Sequence, residues 1–527
     1  MSYDFDPEEW IQRIREAMPR PFAQPGRADL VVRAVLALKP ELWHTDDGEA
    51  FASISDADDK DADGTGPQRH YRIGSDEFTA VMLRAFEAVD PIWIDGPDGG
   101  SLQMPAHTES TVRSAKAVLK AMALSGRLRQ PAVRVAMAGD AWWLDPGNAS
   151  HQVVQITKKD WKIVDRCPAP FLRPEGMLAA AMPQRNPGSV AGEVAELFGL
   201  DGEQFMTLVC ICLDALRPVG DHIVSVIDGE PGLGKTILCR FIRSLVDPHA
   251  ADVEGLPDTE RTLARQADSC RFLSYDNVTT KLTAQQQDWL CRLSTGFVFR
   301  VPRLYADRAL TAFTWCGGVL LGGAPDFVGR SDVASRILRI WLDRPIERRL
   351  PREMLERRLA ALRGRFLGYL LKGMVKALAR KGEMADLPRL ASPAYWCAAA
   401  APAFGWTEDA VLTLFGNQEE NAQRRVAASD PVAASILDMM LRGNLWRWPP
   451  PDMAMTETFG WLHQLYEELI DRNRSALHAK EFPKLSSELG GSLRSVKRPL
   501  AACGIAIEWH ADNLRLSLTR RLTSVRP

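Results

Sequence analysis

One eight-residue run constrains this chain more than any other: Gly229-Glu230-Pro231-Gly232-Leu233-Gly234-Lys235-Thr236. It fits G-x-x-x-x-G-K-[ST] and stands where that pattern carries meaning, after the apolar run HIVSVIDG (222–229) and before helical spacing at 235–246. The glycines let the backbone turn tightly, so that successive N–H groups point inward at phosphate oxygens. A helix beginning near Gly234 adds the positive end of its dipole. The pattern predicts a nucleotide cradle over 229–236 and Ile237, with Lys235 on the β- and γ-phosphates and the Thr236 hydroxyl on Mg2+. ATP and Mg2+ are the expected cofactors.

Such a cradle needs an acid at the end of a neighbouring buried strand. RFLSYDN (271–277) supplies Asp276, which either holds the metal, directly or through water, or caps the following turn. Asn277 stands where a glutamate is usual, and an asparagine orients water without taking its proton. Apolar runs at 222–229 and 270–275 with a helix between them predict a β-α-β rhythm. Around it we expect a helical segment at 190–216, a strand at 312–324, an Arg-rich helical region at 331–382 and helices to about 442. Upstream, helices are expected at 7–18, 28–38, 75–88 and 108–124, and strands at 132–137, 141–144 and 152–157. SISDADDKDADGTGPQ (53–68) has no periodicity and no EF-hand spacing, and reads as a solvated loop. WRWPPPD (446–452) breaks any helix and marks a domain boundary.

Composition narrows the setting. The 527 residues are 46% hydrophobic with a net charge of −2, enough apolar content for several cored domains and too much for a disordered chain. The nine cysteines form no C-x-x-C pair and no zinc spacing, so reduced, buried thiols in a cytoplasmic protein are expected. MSYDFDPEEW carries no secretory h-region, and no apolar run approaches the ~20 residues that cross a bilayer, so no membrane partner is expected.

The ordered series GEPGLGKT (229–236), RSLVDP (243–248), SYDNV (274–278), LCRLSTG (290–296), RVPRLY (300–305), LLGGAPDF (320–327) and RSDVASRILRI (330–340) resembles the superfamily 3 helicase-like AAA+ ATPases of phages and other mobile elements. Weaker similarity runs back through WWLD and ITKKDWKIVD (142–165) and forward to the C-terminus. The resemblance implies ring assembly, a hexamer above all, and ATP hydrolysis between subunits. It makes Asn277 ordinary for the group and puts an arginine finger at Arg336, where a helix-surface salt bridge is the alternative. Gly322 is a departure, since relatives carry an asparagine there that senses the γ-phosphate. Slow hydrolysis, or ATP as a structural switch, would follow.

The resemblance also implies a pore loop after STG that holds single-stranded DNA. Arg300 and Arg303, interleaved with Phe297, Phe299 and Tyr305, suit phosphates and stacked bases, unless the aromatics pack internally. From Asp471 to Pro527, eleven Lys/Arg face five Asp/Glu, a local charge of +6 that the near-neutral total conceals. Helices at 456–471, 482–490 and 492–502 followed by two strands resemble a winged helix. Arg494, Lys497 and Arg498 would then enter a duplex groove, with Arg515 and Arg520-Arg521 on phosphates. The expected fold class is an α/β P-loop NTPase core (171–345) with an α+β N-terminal domain (1–170), a helical lid (346–447) and a winged-helix-like domain (453–527). The expected function is an ATP-dependent DNA helicase or helicase-like initiator; the alternative is an ATP-gated DNA-binding switch or a defence or regulatory ATPase without unwinding.

Overall fold

A computed structural model describes residues 26–55, 68–88, 91–95, 101–105, 109–302, 310–344, 350–442, 445, 447–450, 460–472, 479, 482–510 and 513–518. The expected helix at 7–18, most of the acidic run, Arg303, Tyr305 and the Arg520-Arg521 tail lie outside the described residues.

The N-terminal elements are α1 (Arg27–Ala37), β1 (Glu41–His44), β2 (Ala50–Ser55), β3 (Gln68–Arg72), α2 (Asp76–Glu87), β4 (Pro91–Asp95), β5 (Ser101–Pro105), α3 (Glu109–Leu124) and β6 (Arg127–Leu128). The three helices were legible in the apolar spacing; the strands β1 to β6 were not, being short and flanking the acidic run. Strand order is β3-β2-β1-β6, with β4 and β5 paired apart. Val35, Ala52, Ile54, Phe78, Met82, Phe86 and Leu119 pack helices onto one face of the sheet. Ser75 starts α2 by accepting from the Phe78 N–H.

A second sheet follows, the antiparallel meander β7 (Val135–Ala138), β8 (Ala141–Leu144), β9 (Val153–Ile156) and β10 (Trp161–Val164). Its Val135, Leu144, Val154, Ile156 and Trp161 share one core with Leu208, Phe241 and Phe366 further along the chain. Trp142 lies 4.2 Å, centroid to centroid, from Trp396. Packing thus joins what the sequence divided at residue 170.

Between the first sheet and the meander, burial holds His70 down to about 4 and His151 down to about 3. Unfolded histidines take up protons below about pH 6.5 while these do not, so their contribution to stability is full above 6.5 and is lost as pH falls towards 4. Asp228, raised to about 6 by burial, works in the opposite sense over pH 4–6. The pair His70→Asn/His151→Asn is therefore expected to remove part of the fall in melting temperature between pH 6.5 and 4.5; an unchanged profile would count against this assignment.

The central unit holds α4 (Val190–Phe198), α5 (Gly202–Ala215), β11 (Val224–Gly229), α6 (Lys235–Val246), α7 (Glu260–Ser269), β12 (Phe272–Val278), α8 (Ala284–Thr295), β13 (Phe297–Pro302), β14 (Leu310–Trp315), β15 (Gly318–Gly323), α9 (Ser331–Ala334), β16 (Ile337–Leu342) and α10 (Arg352–Ala379). β12, β15, β11 and β16 form a parallel sheet in that order, making a mixed α/β fold. One expectation is refined and two are corrected. The segment 190–216 is two helices, because Gly199 turns left-handed (φ 64°) and Asp201 with Gln204 caps a new start. The strand at 312–324 is two strands in different sheets, separated at Gly317, where a Cβ would stand 2.0 Å from the Arg271 carbonyl. The helical region at 331–382 contains β16, which pairs with β11 over six residues.

The chain continues through α11 (Ala391–Ala400), a 3-10 turn (Ala401–Phe404), α12 (Glu408–Ser429), α13 (Pro431–Arg442), β17 (Arg447–Trp448), α14 (Gly460–Arg472), α15 (Ser486–Ala502), β18 (Ile505–His510) and β19 (Asn513–Leu518). The two helices expected at 482–490 and 492–502 are the single α15. The last sheet runs β17-β19-β18. Trp448, fully buried, packs with Val432, Ile436, Met440, Leu465, Leu493 and Leu516. The core of the terminal unit therefore takes in α13 and Ala427 of α12, and the Pro-rich run lies inside that unit rather than before it.

Candidate functional site

β11 delivers the glycine-rich loop to the carboxyl edge of the parallel sheet. At Gly229 (φ 133°) a Cβ would stand 2.1 Å from the Leu342 carbonyl of β16, so only glycine lets the chain leave the strand there. Gly232 and Gly234 take φ of 83° and 86°, and Lys235 opens α6 directly behind them. The Lys235 ammonium donates to the carbonyls of Gly229 (2.7 Å) and Glu230 (2.9 Å). Glu230, Pro231 and Gly232 are exposed, while Leu233, Thr236 and Ile237 are half-buried.

β12 brings Asp276 to the same edge. The register with β15 slips between Tyr275 and Val278, and Asn277 takes a left-handed φ of 59°. Gly322 of β15 lies between β11 and β12, and a Cβ there would meet Asp276 Oδ1 at 2.6 Å and Cys239 Sγ at 2.8 Å. The missing side chain is thus what lets the Asp276 carboxylate approach α6. Cys239 is three residues after Thr236 and on its face of the helix, so Asp276 lies against the face of α6 that carries Thr236. Among the described residues no His/Cys/Asp/Glu group is arranged to hold a metal unaided. One carboxylate and one hydroxyl beside a glycine-rich loop nevertheless fit Mg2+, which takes one or two protein carboxylates and completes its shell with other oxygens and water.

A second set of charges behind the loop escaped the sequence reading. Asp228 is buried and its carboxyl is raised to about 6 by that burial, against the pull of Arg339 and Arg425. Arg339 Nη1 of β16 lies 3.1 Å from it as an ion pair. Arg425 of α12 reaches Asp326 at 3.3 Å and lies over the Trp341 ring at 5.0 Å. An aspartate inside an apolar strand run was the available signal; its partner lay in a segment read as helix.

Arg336 is brought elsewhere. It follows α9, donates to the Asp332 carbonyl at 2.6 Å, and its own carbonyl accepts from Val224 N at the start of β11. A strand of that length puts it about 16 Å from its own glycine-rich loop. It does not lie on a long helix surface. Arg389 and Arg498 stand close by: burial, then Arg336, then Arg498 lower the Arg389 pKa.

Phe297 and Phe299 are fully buried, ring to ring at 3.9 Å, with the Arg292 guanidinium 3.6 Å from the Phe297 centroid. This corrects the base-stacking reading for both; Arg300 beside them is exposed. On α15, Leu493, Val496 and Leu500 face the core, leaving Arg494, Lys497 and Arg498 exposed together on the opposite face. Arg515 is exposed on β19.

Residues 201–412, which carry the loop, Asp276, Gly322 and Arg336, match the family described as the actinomycete integrative conjugative element replication protein. This part of the chain is similar to a mobile-element replication protein. Among solved structures, the apo C-terminal region of NrS-1 aligns at 11% identity and a TM-score of 0.39, covering 93% of this chain and 98% of that one. JCV helicase aligns at 15% identity and a TM-score of 0.22, covering 45% and 70% respectively. No curated protein matches. Among the described residues no helix is long and apolar enough to cross a membrane.

Proposed function

We propose that this chain is a cytoplasmic, ATP-dependent DNA motor of a phage or mobile element, a replicative helicase or helicase-like initiator of the superfamily 3 type working as a ring. One observation carries the reading: β11 and β12 bring the glycine-rich loop and Asp276 to the same edge of a parallel sheet, and Gly322 leaves room for Asp276 against the helix that Lys235 and Thr236 open. An incoming triphosphate would take the Lys235 ammonium from its two loop carbonyls and accept the N–H groups of 229–236. Mg2+, when bound, ties those phosphates to Thr236 and Asp276 and neutralises their charge. Arg336, a strand length from its own loop, serves a neighbouring subunit's site.

The terminal unit runs helix, strand, helix, helix, strand, strand, the order of a winged helix. In that arrangement Arg494, Lys497 and Arg498 meet DNA phosphates or base edges, and Arg515 steadies the duplex. Arg300 contributes charge to a single-strand path. Mass measurement with ATP and single-stranded DNA, run beside a turnover assay, tests the reading. A hexamer with DNA-stimulated turnover is expected, and a monomer under every condition would sink the ring.

The ATP-gated switch is favoured by two features: Gly322 carries no side chain to sense a γ-phosphate, and Asn277 beside Asp276 provides no base for the attacking water. ATP-dependent DNA affinity with negligible turnover would select it. Gly322→Ala tests the metal arm in either reading. Its methyl displaces Asp276, so nucleotide affinity is expected to fall about tenfold or more with Mg2+ present and little in EDTA. Equal losses in both would remove Asp276 from the metal.

A further inference from the structure

Sharing no residue with the glycine-rich loop, a groove of about 470 Å³ opens on the N-terminal sheet and is lined by residues that include Glu41, Gln68, Arg127, Arg129, Arg166 and Pro168. Arg127 pairs in register with Trp43, so both stand on the sheet face turned away from α1, α2 and α3. Arg129 lies over that same Trp43 ring at 5.6 Å, donates to Glu41 at 2.8 Å and to the Pro168 carbonyl at 2.7 Å. Its guanidinium is already immobilised, so little rotamer entropy remains to be lost when an anion arrives. Arg127 is exposed at the edge strand β6, and Arg166 is half-buried on the opposite lip.

Three guanidiniums therefore converge on one small volume with a single carboxylate among them. A guanidinium presents parallel N–H donors that match phosphate oxygens, and its charge does not titrate. A volume of this size suits one or two nucleotides. Pro168 offers an apolar surface, and the Gln68 amide both donates and accepts hydrogen bonds. We infer that this groove binds nucleotide phosphate, as one or two units of a single DNA strand, independently of the ATP site.

The test uses the full chain without ATP and a short oligo(dT) carrying 4-thiothymidine, cross-linked by light and mapped by peptide. Adducts are expected within 125–130 or 166–168. Arg127→Glu with Arg166→Glu should reduce them roughly tenfold. The slope of log affinity against log salt should shrink by about 0.7 for each phosphate that the variant no longer neutralises. Turnover without DNA should not change, and Arg127→Gln with Arg166→Gln repeats the measurement if the charge reversal fails to fold. 4-Thiothymidine triphosphate forms the second arm: adducts from it alone identify a free nucleotide as the source of the phosphate, and adducts from the oligonucleotide identify a strand. Adducts confined to other segments, adducts indifferent to both variants, or competition by polyglutamate equal to that by oligo(dT) would overturn the inference. Because no ATP is present, these outcomes are separate from the fate of the proposed motor.

Discussion

Lys235→Ala is expected to lower ATP turnover by about 10²–10³-fold, the cost of removing one positioned charge from a developing phosphoryl charge. The fold should survive, because among the described residues the ammonium bonds to the Gly229 and Glu230 carbonyls at the loop surface. Strand displacement on forked DNA should disappear with turnover, and full displacement in this variant would refute the motor. Arg336→Ala is expected to match the loss in turnover while retaining nucleotide binding. Mixing the two inactive chains then separates a trans role from a cis role. A ring that contains both can place an intact Arg336 against an intact Lys235, so part of the activity should return; no recovery in mixed rings would return Arg336 to a structural role.

The largest loss of stability is expected from Arg134→Ala. Arg134 is fully buried, 2.7 Å from Asp247, and also donates to the carbonyls of Pro146 and Pro248. Burial lowers its pKa and the Asp247 charge opposes that, so the pair holds the cation inside. Asp247 also accepts from the N–H groups of Arg271 and Phe272, where β12 begins. One pair thus ties the meander to the end of α6 and the start of the strand that carries Asp276. Removing the arginine leaves the buried Asp247 carboxylate with only the more distant Arg243, 3.8 Å away, as counter-charge, at a cost of about 3 kcal/mol to the unit that contains it. Denaturant unfolding followed by meander and central-unit probes checks this. A shift below about 1 kcal/mol would mean that water reaches Asp247 and screens it. Arg134→Lys should recover only part, since an ammonium cannot span the same carbonyls.

The glycine-rich loop, β11, α6 and Asp276 were legible because each signal is local. An apolar run, three glycines that take positive φ and a helical spacing lie within a few dozen residues, and no distant partner alters them. β16 was hidden because Arg339 and the arginines flanking the strand look like a helix surface until Asp228 supplies the buried counter-charge for Arg339. Pro449 and its neighbours announced a break that is real in the backbone, yet Trp448 is held in the core of the unit it was thought to precede.

By itself, then, the sequence determined the glycine-rich loop between strand and helix, its lysine and hydroxyl, and the acid of the next strand, since backbone conformation and side-chain chemistry at those positions are set by neighbours in the chain. Only tertiary structure decided why residue 322 is a glycine, that Arg336 stands a strand length from its own loop, that Phe297 and Phe299 are interior, and that the meander belongs with the central core. Each depends on which strands lie side by side, and strand order is set by burying apolar faces and pairing buried charges far apart in the chain.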